Sequence, residues 1–469
     1  MITDLNQAEN NKNFEQFDVA IIGAGAAGIT LANKLSSKNK KVALIEGGNY
    51  DYSEESQEIY IAKSIGDPYF QLDSSRLRYF GGSTNHWTGW CRTFENIDFN
   101  RSYLGKEYKW PINLKDIDAY IKESCEILEI SNIFNDYNLK NSNIRKIDFK
   151  FSPPVRFREK YFQKLSTDKK VNIFLNSNLT DLQVNSKNIT SAILKSYNFK
   201  TIRIKAKKFV FAMGGIENSR YLLWLHKLYG DNLFTKTPAL GRYWMEHPHF
   251  TLGQAIVRQS KVNSRFYALS EQTQKRENIL NCGLRVEHLS EKFMNGLIHQ
   301  VLCVAPKLGK KLVDLAGKNL VCGVKFKAAW EQAPNYSNRI ILDNKVDKFG
   351  IPKPILTWKK NSIDRRTIIK SIEEFNKWLL EIDGGRIQLS KWIVNEEDYP
   401  TDDALGGHHH MGGTRMHEDI EFGVVDSNCK VFGSNNLYIA GSSVFTTGGH
   451  NNPTLPIIQL SLRLADHIA

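Results

Sequence analysis

Phe17-Asp18-Val19-Ala20-Ile21-Ile22-Gly23-Ala24-Gly25-Ala26-Ala27-Gly28 is the stretch that decides the fold. Its first half is a short, β-branched apolar run, as a buried parallel strand requires. Its second half spaces three glycines as G-x-G-x-x-G. Leu31, Ala32 and Leu35 continue at helical spacing, and a second apolar run, Val42-Ala43-Leu44-Ile45, ends in Glu46. Strand, glycine turn, helix, strand and acid follow the order of a dinucleotide-binding βαβ unit. Gly23 makes the tight turn, Gly25 lets backbone approach a pyrophosphate, and Gly28 lets helix and strand pack closely. The helix N-terminus offers unpaired N–H groups to the phosphates. Glu46 stands eighteen residues after Gly28, where a carboxylate can accept from a ribose hydroxyl. An acid there favours the unphosphorylated ribose of FAD or NAD over NADP. No second G-x-G-x-x-G unit follows, which argues against an enzyme that binds NADH beside a flavin.

The 469 residues suggest two or three domains, and 41% hydrophobic with 24% charged residues is a globular composition. No apolar run reaches the roughly 18 residues of a membrane span. Residues 1–16 are polar, without the apolar core of a secretory signal, and read as a disordered tail. Cys91, Cys125, Cys282, Cys303, Cys322 and Cys429 form no C-x-x-C pair. They read as free thiols of a cytoplasmic protein, with no metal site among them. The net charge of +13 fits attraction to an anionic substrate or surface, or a solvated lysine-rich face. The basic residues form no dense run, and no nucleic-acid motif is present.

Further along, Gly81-Gly82-Ser83-Thr84-Asn85-His86-Trp87 is a loop whose backbone can lie flat on a planar ring, or a turn packed under tryptophans. Residues 107–165 read as a helical connection, with helical spacing from Asp116 to Ile130. Val171–Phe174, Ser191–Leu194 and Ile202–Ile204 read as a hairpin excursion from a parallel sheet. Lys208 to Gly215 returns as strand-into-glycine, and Ile216 starts a helix. Strands at Phe250–Val257, Leu297–Pro306, Val321–Trp330, Arg339–Leu342 and Ile355–Trp358 predict an antiparallel sheet, followed by a helix over Ile363–Ile382. Val424–Asp426, Val431–Gly433 and Leu437–Gly441 re-enter the first sheet. The expected organisation is a discontinuous nucleotide domain over 17–106, 166–249 and 400–469, and an α+β substrate domain over 250–399.

Two C-terminal runs carry the polar groups of a proton-abstracting site: His408-His409-His410-Met411-Gly412-Gly413-Thr414-Arg415-Met416 and Gly449-His450-Asn451-Asn452-Pro453-Thr454-Leu455. Pro453 suits the start of an amphipathic helix reaching Ile468, with Leu455, Ile458, Leu462 and Ala465 on one face. Asn452 then either caps that helix or points into a pocket. Zinc on His408 and His410 is the weaker reading, since two residues is poor spacing for one ion and no acid or cysteine partner is evident.

Together these pieces resemble the glucose–methanol–choline (GMC) oxidoreductases. The motifs are Gly23-x-Gly25-x-x-Gly28 with Glu46, Gly81-Gly82-Ser83, Phe211 to Ser219, Gly241 to Pro248, Glu331-Gln332 before Pro334, Asn338-Arg339 and the two C-terminal runs. The nearest likeness within the family is to pyranose oxidase and bacterial sugar dehydrogenases, although this chain is shorter than most members. The resemblance implies an FAD-binding Rossmann-like domain, a parallel sheet with a β-hairpin excursion, beside the antiparallel substrate domain. FAD-binding positions would be Gly23, Gly25, Ala26, Ala27, Gly28, Glu46, Gly81, Gly82, Ser83, Asn85, His86, Trp87, Gly214, Gly441, Asn452, Pro453 and Thr454. His86 falls on the histidine through which pyranose oxidases attach FAD covalently. His409, with His410 as second choice, would take the proton of an alcohol as a hydride passes to flavin N5. Asn452 would hold the same oxygen, and His247 and His450 would sit behind. A small sugar or alcohol substrate is implied, with oxygen, a quinone or a redox protein as acceptor. A dehydrogenase serving a protein or quinone acceptor, a flavoprotein with a non-oxidative reaction, and a binding-only protein are the alternatives.

Overall fold

The computed structural model describes all residues except 13, 259, 263, 289–320 and 404. Its first sheet runs Ile2–Asp4, Val171–Leu175, Val42–Ile45, Phe17–Ile22, Thr201–Phe211, Asn188–Lys195, Asn178–Asn185, and Leu437–Ile439 pairs beside the inner end of Thr201–Phe211. The strands from Phe17–Ile22 outward to Ile2–Asp4 are parallel. Phe17–Ile22 and Val42–Ile45 are buried almost throughout, which is why they read as unbroken apolar runs. The helix Ala26–Ser37 covers one face and packs on the final helix, Thr454–Ile468. A Cβ on Gly28 would stand 1.9 Å from the Gly23 carbonyl oxygen, so only glycine admits this helix so close to its turn.

The second sheet has seven strands, in the order Gly385–Leu389, His249–Arg258, Val321–Trp330, Cys282–His288, Phe266–Leu269, Ile144–Lys146, Tyr137–Asn138. All its pairings are antiparallel. Val324, Phe326 and Ala328 face the helix Ser362–Glu381, whose Ile368, Ile372 and Phe375 complete the core. The alternate residues Lys327 and Ala329 face the other way and line the cleft. This is the Rossmann-like domain plus antiparallel substrate domain that the sequence predicts.

Several expectations need correction. Residues 1–16 are not a disordered tail: Ile2–Asp4 pairs with Ile173–Leu175, and Leu5 is wholly buried. A three-residue edge strand needs no apolar run, so it leaves little trace in sequence. Residues 107–165 are only partly helical. Leu114–Asp118 and Ile121–Leu128 are separate helices, and Tyr137–Asn138 and Ile144–Lys146 join the substrate sheet. Val171–Leu175 belongs to the parallel sheet and not to the hairpin. Ile202–Ile204 and Phe209–Phe211 are one strand, antiparallel to Asn188–Lys195 at its start and parallel to Phe17–Ile22 at its end. Arg339–Val346 and Pro352–Trp358 form a separate three-stranded sheet with Lys63–Gly66, packed on the helix Gly214–Tyr229. Val425 and Val431 make only isolated bridges. The strand expected at Leu297–Pro306 lies outside the described residues.

Candidate active site

The cleft between the two sheets is a cavity of about 760 Å³. Gly23, Gly25, Ala26, Ala27 and Glu46 line one end. Gly82, Ser83, His86, Trp87, Gly214 and Gly441 line its course, and His409, His410, Asn452, Pro453 and Thr454 line the other end. Three of the expected residues stand behind the wall. Gly28 packs on Gly23, the Gly81 N–H donates to the Ala24 carbonyl at 2.8 Å, and Asn85 Nδ2 donates to the Phe80 carbonyl at 2.8 Å. Their roles are to shape the turns that the cavity lies on.

The residues fit a flavin dinucleotide. The helix Ala26–Ser37 has no side-chain cap at Gly25, so its N-terminal N–H groups face the cleft unpaired. A Cβ added at Gly25, Gly214 or Gly441 would meet no atom within 4 Å, and all three line the cavity. Glu46 is fixed by the Ala24 and Gly48 N–H groups at 3.0 and 2.9 Å, and its carboxylate keeps lone pairs for a ribose. Together these residues would hold pyrophosphate, ribose and ring along one path.

At the far end the three histidines diverge. His408 takes a left-handed backbone (φ +57°) and lies against Phe70, ring centroids 4.0 Å apart. His410 is turned toward Trp244 and Tyr69. His409 alone of the three meets Asn452, Nε2 to Nδ2 at 3.3 Å. Its Nδ1 lies 2.8 Å from His247 Nδ1, and its ring stands edge-on to His249. Gly407 is required here, because a Cβ would stand 2.7 Å from the His409 ring. The Asn452 amide thus serves the pocket. Pro453 takes the cap position of the final helix, without a side-chain cap.

Beneath the histidines lies Glu246, fully buried. It accepts the N–H groups of His409 at 2.7 Å, His247 at 2.8 Å and Gly407 at 3.3 Å, and the Tyr69 hydroxyl donates to it. Burial raises its pKa to about 7 despite these donors. Burial also lowers His247 to about 4 and His249 to about 3, and holds His409 well below the ordinary histidine value. His409 is therefore neutral at neutral pH. If Asn452 donates to Nε2, the His409 proton sits on Nδ1 and points at His247. The sequence placed His247 behind the pair, and it gave Glu246 and His249 no part. The only signal was the cluster of one acid and two histidines within Met245 to His249, which resembled a family motif without disclosing its contacts.

His450 is buried behind Asn452, its pKa lowered to about 3 by burial, with Glu95 Oε1 3.8 Å from its Nε2. His86 ends a short turn and lines the cavity.

Fold and cleft define an FAD-binding protein, and comparisons with known proteins agree. A family model described as GMC oxidoreductase matches residues 334–461, and one described as FAD binding domain matches residues 18–56. The C-terminal part of the chain thus carries a GMC oxidoreductase domain and the N-terminal part an FAD-binding unit. It is 25% identical to the fructose dehydrogenase large subunit of Gluconobacter japonicus, over 61% of this chain and 52% of that one. It is 29% identical to a C-glycoside 3-oxidase of Microbacterium trichothecenolyticum, over 33% of this chain and 27% of that one. The chain thus spans about half the length of the first of these relatives or less. An FAD-dependent oxidoreductase structure from Chaetomium thermophilum superposes with a TM-score of 0.61 at 13% identity, over 96% of this chain and 98% of that one. That likeness shows the fold. Among the described residues no helix is long and apolar enough to cross a membrane.

Proposed function

We propose that this protein oxidises the CH–OH group of a sugar, polyol or glycoside, with His409 as base and Asn452 as its partner. The observation that carries the reading is the His409–Asn452 pair, 3.3 Å apart at the end of a cleft fitted for FAD. Bound FAD would supply the two-electron acceptor for the C–H bond. An alcohol gives up that hydride readily only when its O–H proton is removed. The proton would go to His409 Nε2, which is neutral and within reach of an oxygen held by the Asn452 amide. His247 Nδ1 would accept from His409 Nδ1–H and fix the ring. Ionised Glu246 would stabilise the resulting imidazolium from below.

Relatives named for dehydrogenase and oxidase activities on sugars and glycosides support the substrate class. Electrons would leave to oxygen, a quinone or a redox protein; oxygen uptake during turnover separates the first from the other two. Unpaired Cys91, Cys125, Cys282 and Cys429 support a cytoplasmic location, which cell fractionation tests. The function is tested by anaerobic bleaching of the bound flavin with a panel of sugars, sugar acids, glycosides and polyols. At least one should bleach it, and His409→Ala should slow that bleaching by about 10²–10⁴-fold, the usual contribution of a positioned base. A panel in which no alcohol bleaches the flavin sinks the reading.

The covalent link through His86 is a separate proposal, supported by its place on the cavity wall. Acid precipitation of the holoprotein should leave yellow colour in the pellet, and His86→Ala should release it to the supernatant.

A further inference from the structure

The cleft-facing side of the seven-stranded sheet is arranged in rows across neighbouring strands. His249, Ala329 and Gly283 form the row beside the catalytic end, with His249 edge-on to His409. The next row outward holds Thr251, Lys327, Arg285 and Phe266. Arg285 and Lys327 are directly opposite each other, both half-buried and both on the cavity wall. Like charges in that position repel, so a sheet selected for stability alone would avoid the pair.

Other charges nearby compensate only in part. Glu287 pairs with Arg285 and lies 3.9 Å from Lys327, so two cations share one carboxylate. Arg265, beside the Trp90 ring that Arg285 also approaches, adds a third cation. The Arg285 Nε is buried with no hydrogen-bond partner. Asp403 is a second carboxylate on the cavity wall besides Glu46, and its Oδ2 accepts the Thr251 N–H at 2.6 Å. Arg76, the remaining cation on the wall among the described residues, is held by Glu217 at 2.7 Å.

Resting on the alcohol-oxidation reading, we propose that Arg285 and Lys327 form an anion subsite and that the substrate is a sugar or polyol carrying a carboxylate or phosphate. Two residues of strand set the rows about 7 Å apart. The cations therefore stand roughly one sugar ring beyond the oxygen held by His409 and Asn452. An arginine fork suits either anion, and the lysine adds a point charge. The anion would relieve the Arg285–Lys327 repulsion and bind most strongly there. The positive net charge of the chain then has a local use.

The test compares neutral and anionic partners on anaerobic holoprotein: glucose with glucuronate and with glucose 6-phosphate, and a methyl glucoside with its uronate. Two signals are read, the shift of the flavin absorbance on binding and the rate of bleaching. An anionic member should exceed its neutral partner at least tenfold in kcat/KM, an advantage that shrinks with added salt. The carboxylate and phosphate arms identify the anion. In R285Q/K327Q the anionic-to-neutral ratio should fall at least tenfold; K327Q alone gives the ratio if the double variant fails to load flavin. Neutral members matching the anions, or a ratio unchanged by the substitutions, overturns the subsite, as does the absence of any spectral shift or bleaching with an anion. An anion that shifts the spectrum while no compound bleaches it leaves the subsite standing and removes the alcohol-oxidation reading.

Discussion

Asn452 has one amide and two candidate uses, and the structure gives it to His409. A cap on a helix is worth about 0.5–2 kcal/mol, and that stabilisation is not drawn from Asn452 here. Asn452→Ala should therefore leave the thermal midpoint close to wild type while slowing flavin reduction about 10²–10³-fold, a typical effect of losing one oriented hydrogen bond to reacting oxygen. A large drop in midpoint with unchanged reduction would mean that the cap was the true role. The pH dependence follows from two shifts. His409 is held well below its ordinary value, so protonation of the base sets no limb near 6.5. Glu246 is raised to about 7, so it is protonated below neutrality and ionised above it. Only the ionised form stabilises an imidazolium at His409, so reduction should speed up as pH rises through about 7. Glu246→Gln should be slow throughout and lose that limb. Stopped-flow reduction across pH 5–9 checks both; a limb near 7 that survives in Glu246→Gln rules this assignment out.

At the scale of elements, the glycine turn separates packing from binding. Replacing a helical glycine by alanine favours a helix by about 1 kcal/mol. At Gly28 the new Cβ meets the Gly23 carbonyl at 1.9 Å, backbone against backbone, and overpacking costs about 1–3 kcal/mol or more. The clash wins, so Gly28→Ala should melt lower and purify with little flavin. Gly25→Ala meets no atom within 4 Å and should keep the apoprotein fold while weakening FAD binding, seen as a colourless protein with near-normal circular dichroism. The same turn shows what a sequence discloses. Strands buried on both faces, such as Phe17–Ile22, are unbroken apolar runs and legible. Thr201–Phe211 changes its burial from alternate residues to every residue as it passes from hairpin to parallel sheet, so it reads as two strands. The His409–Asn452 pair was legible because both residues sit in short glycine- and asparagine-rich motifs. Glu246 was not, and His247 only as a residue behind the pair, because their contacts to His409 reach about 160 residues along the chain.

Across the whole molecule, the cleft depends on how the two domains are fastened. Arg101 is completely buried between them, bonded to Asp98 at 2.8 Å in the flavin-side segment and to Glu331 at 2.5 Å at the end of a substrate-sheet strand. Glu331 also receives the N–H of Asn281 at 3.1 Å and interacts with the Gly449 backbone, three residues before Asn452. Breaking a buried ion pair on one side costs about 3–5 kcal/mol, because the charge left behind has no partner, whereas replacing all members can be neutral. Arg101→Met strands two carboxylates at once, and both are already pushed toward the protonated form by burial. The single variant should therefore lose several degrees of thermal midpoint and, through Gly449, slow flavin reduction. Adding Asp98→Asn and Glu331→Gln removes the stranded charges and should restore much of the midpoint. Calorimetry of the flavin-loaded forms checks the order. If the triple variant melts below Arg101→Met, the cost lies in lost hydrogen bonds and not in unpaired charge, and the cluster is a polar scaffold for the Gly449–Asn452 loop first and an ion pair second.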